Sequence, residues 1–174
     1  MGETIEEHWD GVEGWLKANA PDLLVGLGEP ASEHDISTLE GAFDIQLPAD
    51  VRASLRRHNG ELEELWLFGD FSLLSVDHAT NCTSERPSQS KHHARLLDPS
   101  YVALAYDGSG RYLWVSCADG HVLETTVYGE DFFVAASWAE LMGRYVTRLQ
   151  AGEFALVEGC LEHDVDKWWR TRSA

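Results

Sequence analysis

Basic residues are scarce. Thirteen Lys and Arg stand against thirty Asp and Glu in 174 residues, a formal net charge of −17. A nucleic-acid surface needs a basic face to displace counterions from phosphates, so this balance argues against direct DNA or RNA binding. Long apolar runs are missing as well. None approaches the roughly 18–20 residues of a membrane-spanning helix, and no membrane association is expected. The opening Met1-Gly2-Glu3-Thr4-Ile5-Glu6-Glu7 is acidic where a secretory signal turns from basic to apolar, which predicts a cytoplasmic protein. Glu6 also stands where a myristoylation motif carries Ser or Thr. Cysteine is sparse, and Cys82, Cys117 and Cys160 form no C-x-x-C pair, so free thiols are expected.

Catalytic motifs are equally thin. There is no G-x-S-x-G elbow, because Gly108-Ser109-Gly110 has the wrong spacing and reads as a hairpin turn. Neither a phosphate-cradling loop nor a dinucleotide fingerprint occurs. His78, Cys82, His92 and His93 share a polar stretch but lack the paired short spacings of a zinc site. No enzyme activity, no cofactor and no metal site are expected.

What is present is an ordinary globular balance, with 44% hydrophobic and 25% charged residues. The length suits one domain with its own core. Ile5, Trp9, Val12 and Leu16 step by four, three and four, the spacing of an amphipathic helix ended by Asn19-Ala20-Pro21. A short helical turn through Leu23, Leu24 and Leu27 follows. Ser32 and Asp35 approximate a capping box ahead of Ile36, Leu39 and Phe43. Leu47-Pro48 opens another helix, with Asp50 in its first turn and Arg56-Arg57 near its end, closed by Asn59-Gly60.

Beyond Gly60 the period shortens. Leu65–Phe68 and Phe71–Val76 read as two short strands around Gly69-Asp70. Residues 77–98 are almost free of apolar side chains before Leu96 and read as a long loop or insertion. Strands are expected over Tyr101–Tyr106, Arg111–Cys117 and His121–Val127, joined by two Asp-Gly turns. Ser137 and Glu140 cap a helix carrying Trp138, Leu141, Met142, Tyr145 and Leu149. The tail, with Phe154, Leu156, Val157, Leu161 and Trp168-Trp169, reads as partly helical. One α+β domain with a meandering antiparallel sheet between N- and C-terminal helices is predicted over 1–174.

Glu40 lies beside the buried stripe of its helix, where a carboxylate needs donors. The backbone amides at the start of the Leu47–Val51 segment can supply them, which predicts a structural acid.

The order of these motifs resembles the SUKH superfamily, in its Smi/Knr branch. An acid-bearing helix with Glu40 leads into Phe43-Asp44-Ile45-Gln46-Leu47-Pro48-Ala49-Asp50-Val51 and then His58-Asn59-Gly60. Later come Asp107-Gly108-Ser109-Gly110 before Tyr112–Val115, then Gly120-His121-Val122 and Val134-Ala135-Ala136-Ser137-Trp138. The resemblance covers about residues 9–152 and leaves 153–174 as an extension. Asp44 stands where the family usually has Gly, and Val51 where an aromatic is common.

The resemblance implies a non-catalytic binding role. The role expected first is that of an immunity protein neutralising a toxin domain, such as a nuclease, of a polymorphic toxin system; the alternative is a scaffold or regulatory protein of the cell-wall-assembly regulator type. The charge points to a cationic protein partner, with twelve of the acids and only Lys17 in residues 1–50. The candidate contacts are Asp35, Asp44, Glu61, Glu63, Glu64 and Asp70, with Trp66 as an aromatic anchor.

Overall fold

Helix α1 (Ile5–Asn19) begins where Thr4 and Glu7 cap each other reciprocally, and it buries Ile5, Trp9, Val12 and Leu16. Pro21 sits in the first turn of α2 (Pro21–Val25), where its missing N–H costs no hydrogen bond. A second reciprocal cap, Ser32 with Asp35, starts α3 (Glu33–Phe43). That helix ends on Asp44 in the left-handed conformation, at φ 53°. The family's glycine position is therefore a left-handed cap, and Asp is among the few other residues that tolerate it. Helix α4 (Ala49–Arg57) follows Pro48.

In this computed structural model, residues 3–86, 98–126, 128, 130–163 and 169 are described. A five-stranded antiparallel meander runs in the order β1 (Ser72–Leu73), β2 (Tyr101–Tyr106), β3 (Tyr112–Ser116), β4 (Val122–Thr125), β5 (Asp131–Ala135). Helix α6 (Trp138–Gln150), capped by Ser137, packs on α1 and α4. The indoles of Trp9 and Trp138 both donate to Ser54 Oγ, at 2.9 and 3.2 Å, which ties α1, α4 and α6 at one buried hydroxyl. The Tyr145 hydroxyl donates to the Leu67 carbonyl, fixing α6 to the segment before β1.

Four expectations change. The stretch read as a loop from 77 begins with helix α5 (Val76–Ser84), whose N-cap Ser75 accepts from the His78 amide. Its buried stripe is Val76, Ala79 and Thr83, two of them too small or polar to register as a hydrophobic period. Residues 87–97 of that stretch lie outside the described residues.

The two strands around Gly69-Asp70 shrink to a Phe68–Phe71 bridge and the two residues of β1, which pair with β2. Trp66, at φ 53°, breaks the extended run before them. A fifth strand, β5, was not anticipated. The tail forms a hairpin, β6 (Phe154–Val157) and β7 (Cys160–His163), around Glu158-Gly159, both at positive φ. That is the geometry of a two-residue hairpin turn and not of a helix. Trp168 lies outside the described residues, whereas Trp169 is fully buried.

Candidate partner-binding surface

Asn59-Gly60 does more than end α4. The Asn59 Oδ1 accepts the Val76 amide at 2.7 Å, so the side chain also holds the first turn of α5. Gly60, at φ 70°, passes so close to the chain at Leu74-Ser75 that a β-carbon there would meet the Ser75 nitrogen at 2.4 Å. This contact brings the 61–64 segment alongside β1 and α5. Between them opens a cleft of about 220 Å³ lined by Glu61–Glu64, Ser72–Leu74, His78, Asn81, Cys82 and Tyr106.

Glu61 forms the inner wall and is not a surface contact. It is only 7% exposed, and its carboxylate accepts the Leu65 and Leu73 amides at 3.0 and 2.9 Å. Burial pushes its pKa up to about 7, against the opposing pull of those amides. Glu63 and Glu64 sit exposed on the rim, with no ion pair among the described residues. Glu64 lies close enough to help raise the pKa of Tyr106, although burial raises it more.

Tyr106 stacks on its cross-strand neighbour Tyr112, with ring centroids 4.6 Å apart. Beside the cleft, the Leu62 amide donates to the carbonyl of Gly26, the residue after Val25. The Leu62 and Val25 side chains are 67% and 78% exposed.

The other candidate residues divide. Asp35 belongs to the Ser32 cap, whose hydroxyl holds its pKa low, and it lines a shallow recess between α3 and α5 that shares Asn81 with the cleft. Asp44 is exposed at the end of α3. Asp70 is drawn inward by Arg111 at 3.6 Å and His163 at 3.3 Å. Trp66 packs over Gly108, and its amide donates to Ser72 Oγ.

Glu40 accepts the Leu47 amide at 2.9 Å and takes Arg52 on both carboxylate oxygens. Sequence reasoning missed Val25, Leu62, Cys82 and Tyr106. The one signal for them was a lone leucine inside the acidic run Glu61-Leu62-Glu63-Glu64.

The described arginines are spent on partners within the chain. Arg52 binds Glu40 and Glu33, Arg56 binds Glu33, and Arg57 binds Glu13 and Asp10. Arg86 donates to the carbonyls of Thr83, Asp98 and Tyr101, Arg144 to that of Val134, and Arg148 pairs with Glu153. Arg111 lies between the rings of Phe71 and Trp169, at 5.5 and 5.4 Å, and bonds Asp107. All seven described arginines are thus committed, and the rim acids stand uncompensated.

Among the described residues no group of three or more His, Cys, Asp and Glu is placed to hold a metal; His92 and His93 lie outside them. Burial raises the Cys82 thiol and pushes Cys117 up to about 11, the opposite of an activated nucleophile. At the opposite end of β2 from Tyr106, Asp119, His121 and Tyr101 form a hydrogen-bonded chain, with distances of 2.6 and 2.7 Å, beside the half-exposed Phe133.

The profile of the SMI1 / KNR4 family (SUKH-1) matches residues 30–144, from α3 into α6. The chain belongs to this family. Similar proteins include the KNR4/SMI1 homolog of Kluyveromyces lactis, 37% identical over 43% of this chain and 15% of its own length. The cell wall assembly regulator SMI1 of Saccharomyces cerevisiae is 23% identical over 86% of this chain and 41% of its own length. Human F-box only protein 3 is 24% identical over 88% and 36%. The chain therefore spans less than half the length of each of these family relatives. No helix among the described residues is long and apolar enough to cross a membrane.

Proposed function

We propose that this family member is a non-catalytic protein-binding module of the regulatory or scaffold type, working as the interaction part of a cytoplasmic assembly. One observation carries this role: a surface of acids with no ion pair among the described residues, in a fold whose seven described arginines are already engaged internally. Such a surface attracts a basic partner and repels polyanions. The naming of relatives as a cell wall assembly regulator and an F-box protein supports regulation over toxin neutralisation. A toxin-neutralising role draws on the same acidity and on the superfamily resemblance, with none of the relatives named above behind it.

Purification of the full chain from its native cells at about 50 mM salt, with mass spectrometry and reconstitution, tests the proposal. A stoichiometric protein partner, with no substrate turned over, is the expected result. A chain that recovers no partner, or that turns over a small molecule, overturns it. A partner with toxin activity would move the assignment to the neutralising role.

A further inference from the structure

We propose that the cleft between the 61–64 segment, α5 and Tyr106 is the docking site for a cationic, apolar-anchored segment of the partner protein. An arginine or lysine enters over the Tyr106 ring, and an adjoining apolar side chain covers Leu62 and Val25. This inference rests on the protein-binding role proposed above.

Three independent features define the occupant. The first is charge. Glu63 and Glu64 form the rim, and Glu85 lies close enough to Cys82 and Tyr112 to raise both their pKa values. A cation entering here meets carboxylates that no described arginine neutralises. A second copy of the chain docking by the same face, or a nucleic acid, would bring only further negative charge.

The second feature is the aromatic wall. Tyr106 lines the cleft, and its stack on Tyr112 holds the ring in place. A guanidinium or ammonium over a tyrosine face gains a cation–π attraction that a neutral side chain does not. The third is Leu62, an exposed apolar side chain in the cleft lining whose backbone is bonded to Gly26 beside the exposed Val25. It offers a small apolar contact that a partner side chain can remove from water. The walls are pre-organised by Glu61 on the Leu65 and Leu73 amides and by Asn59 on the Val76 amide, so little ordering accompanies binding.

The probe is a fluorescent synthetic peptide alternating Arg and Leu, titrated by anisotropy into the full chain, with Glu-for-Arg and Ser-for-Leu peptides beside it. Binding of the Arg/Leu peptide is expected to weaken about tenfold in the double variant Glu63→Lys/Glu64→Lys. Glu6→Lys/Glu162→Lys, an equal change of charge at exposed acids outside the cleft, is expected to change it less than about twofold. Leu62→Ser is expected to weaken the Arg/Leu peptide and leave the Ser-for-Leu peptide unaffected.

Alkylation followed by mass spectrometry locates the peptide without any variant. Saturating peptide should slow labelling of Cys82, which lines the cleft, relative to the exposed Cys160. Equal losses in the two double variants, equal binding of the Ser-for-Leu peptide, or unchanged Cys82 labelling each overturn the cleft. If a purified native partner ignores the cleft variants, the docking site is elsewhere and the protein-binding role survives. If neither partner nor peptide binds, both fall.

Discussion

Glu61 and Glu40 show how much a carboxylate's surroundings decide its behaviour. Glu61 is buried and its pKa rises to about 7, so between its ordinary value and 7 the folded chain holds a proton that the unfolded chain has released. That contribution is full below about pH 4.5 and is lost as pH rises through 7, a cost approaching about 3 kcal/mol at the alkaline end. Tyr145, fully buried nearby, feels the same charge and is itself raised well above its ordinary value. Chemical denaturation from pH 5 to 8 should therefore give a falling stability in the native chain. In Glu61→Gln that fall should be largely absent.

Glu40 instead serves as the acceptor for the Leu47 amide and Arg52. Glu40→Ala leaves the Leu47 amide without its acceptor and Arg52 with Glu33 alone. It should cost roughly 1–3 kcal/mol in urea unfolding, whereas Glu63→Ala on the rim should stay within about 0.5.

At the scale of elements, the C-terminal hairpin and the buried Trp169 belong to the core although the family match stops at residue 144. The Trp169 indole donates to Glu124 at 2.7 Å, meets Phe71 edge-on and lies against Arg111. Removing it opens a cavity and takes a donor from a carboxylate with no exposure to water. Trp169→Ala should lower stability by about 3–5 kcal/mol, read from the denaturant midpoint. Leu156→Ala, on the exposed side of the same hairpin, should change it by less than about 0.5.

Helix α5 carries a related lesson. Its start is held by Asn59 and Ser75, and its Thr83 hydroxyl accepts the Ala103 amide at 3.1 Å. Its stability comes from partners distant in the chain more than from an apolar stripe of its own.

Across the whole molecule, the net charge of −17 acts before any contact is made. Association with a basic partner should slow steeply as salt rises from about 50 to 500 mM, with dissociation much less affected, as stopped-flow mixing would show. Salt-independent association would remove electrostatic steering from the account.

Local chemistry was enough to predict the capped helices, since Ser32 and Ser137 accept from amides within a turn of themselves and Pro48 presets the backbone at the start of α4. It was also enough for the central strands, where Asp-Gly turns set the pairing. Helix α5, strand β5 and the tail hairpin escaped because tertiary partners stabilise them against weak or ambiguous periodicity. The candidate site divides in the same way. Glu61, Glu63 and Glu64 are chemically alike along the chain. Only the close approach of Gly60 to Leu74-Ser75 turns the first into the cleft's inner wall and leaves the other two on its rim. Composition determined by itself that the molecule would be acidic, because charge is a sum over residues. Which acids remain free to meet a partner was decided by the folded arginines, because an ion pair requires two groups to be brought together in space.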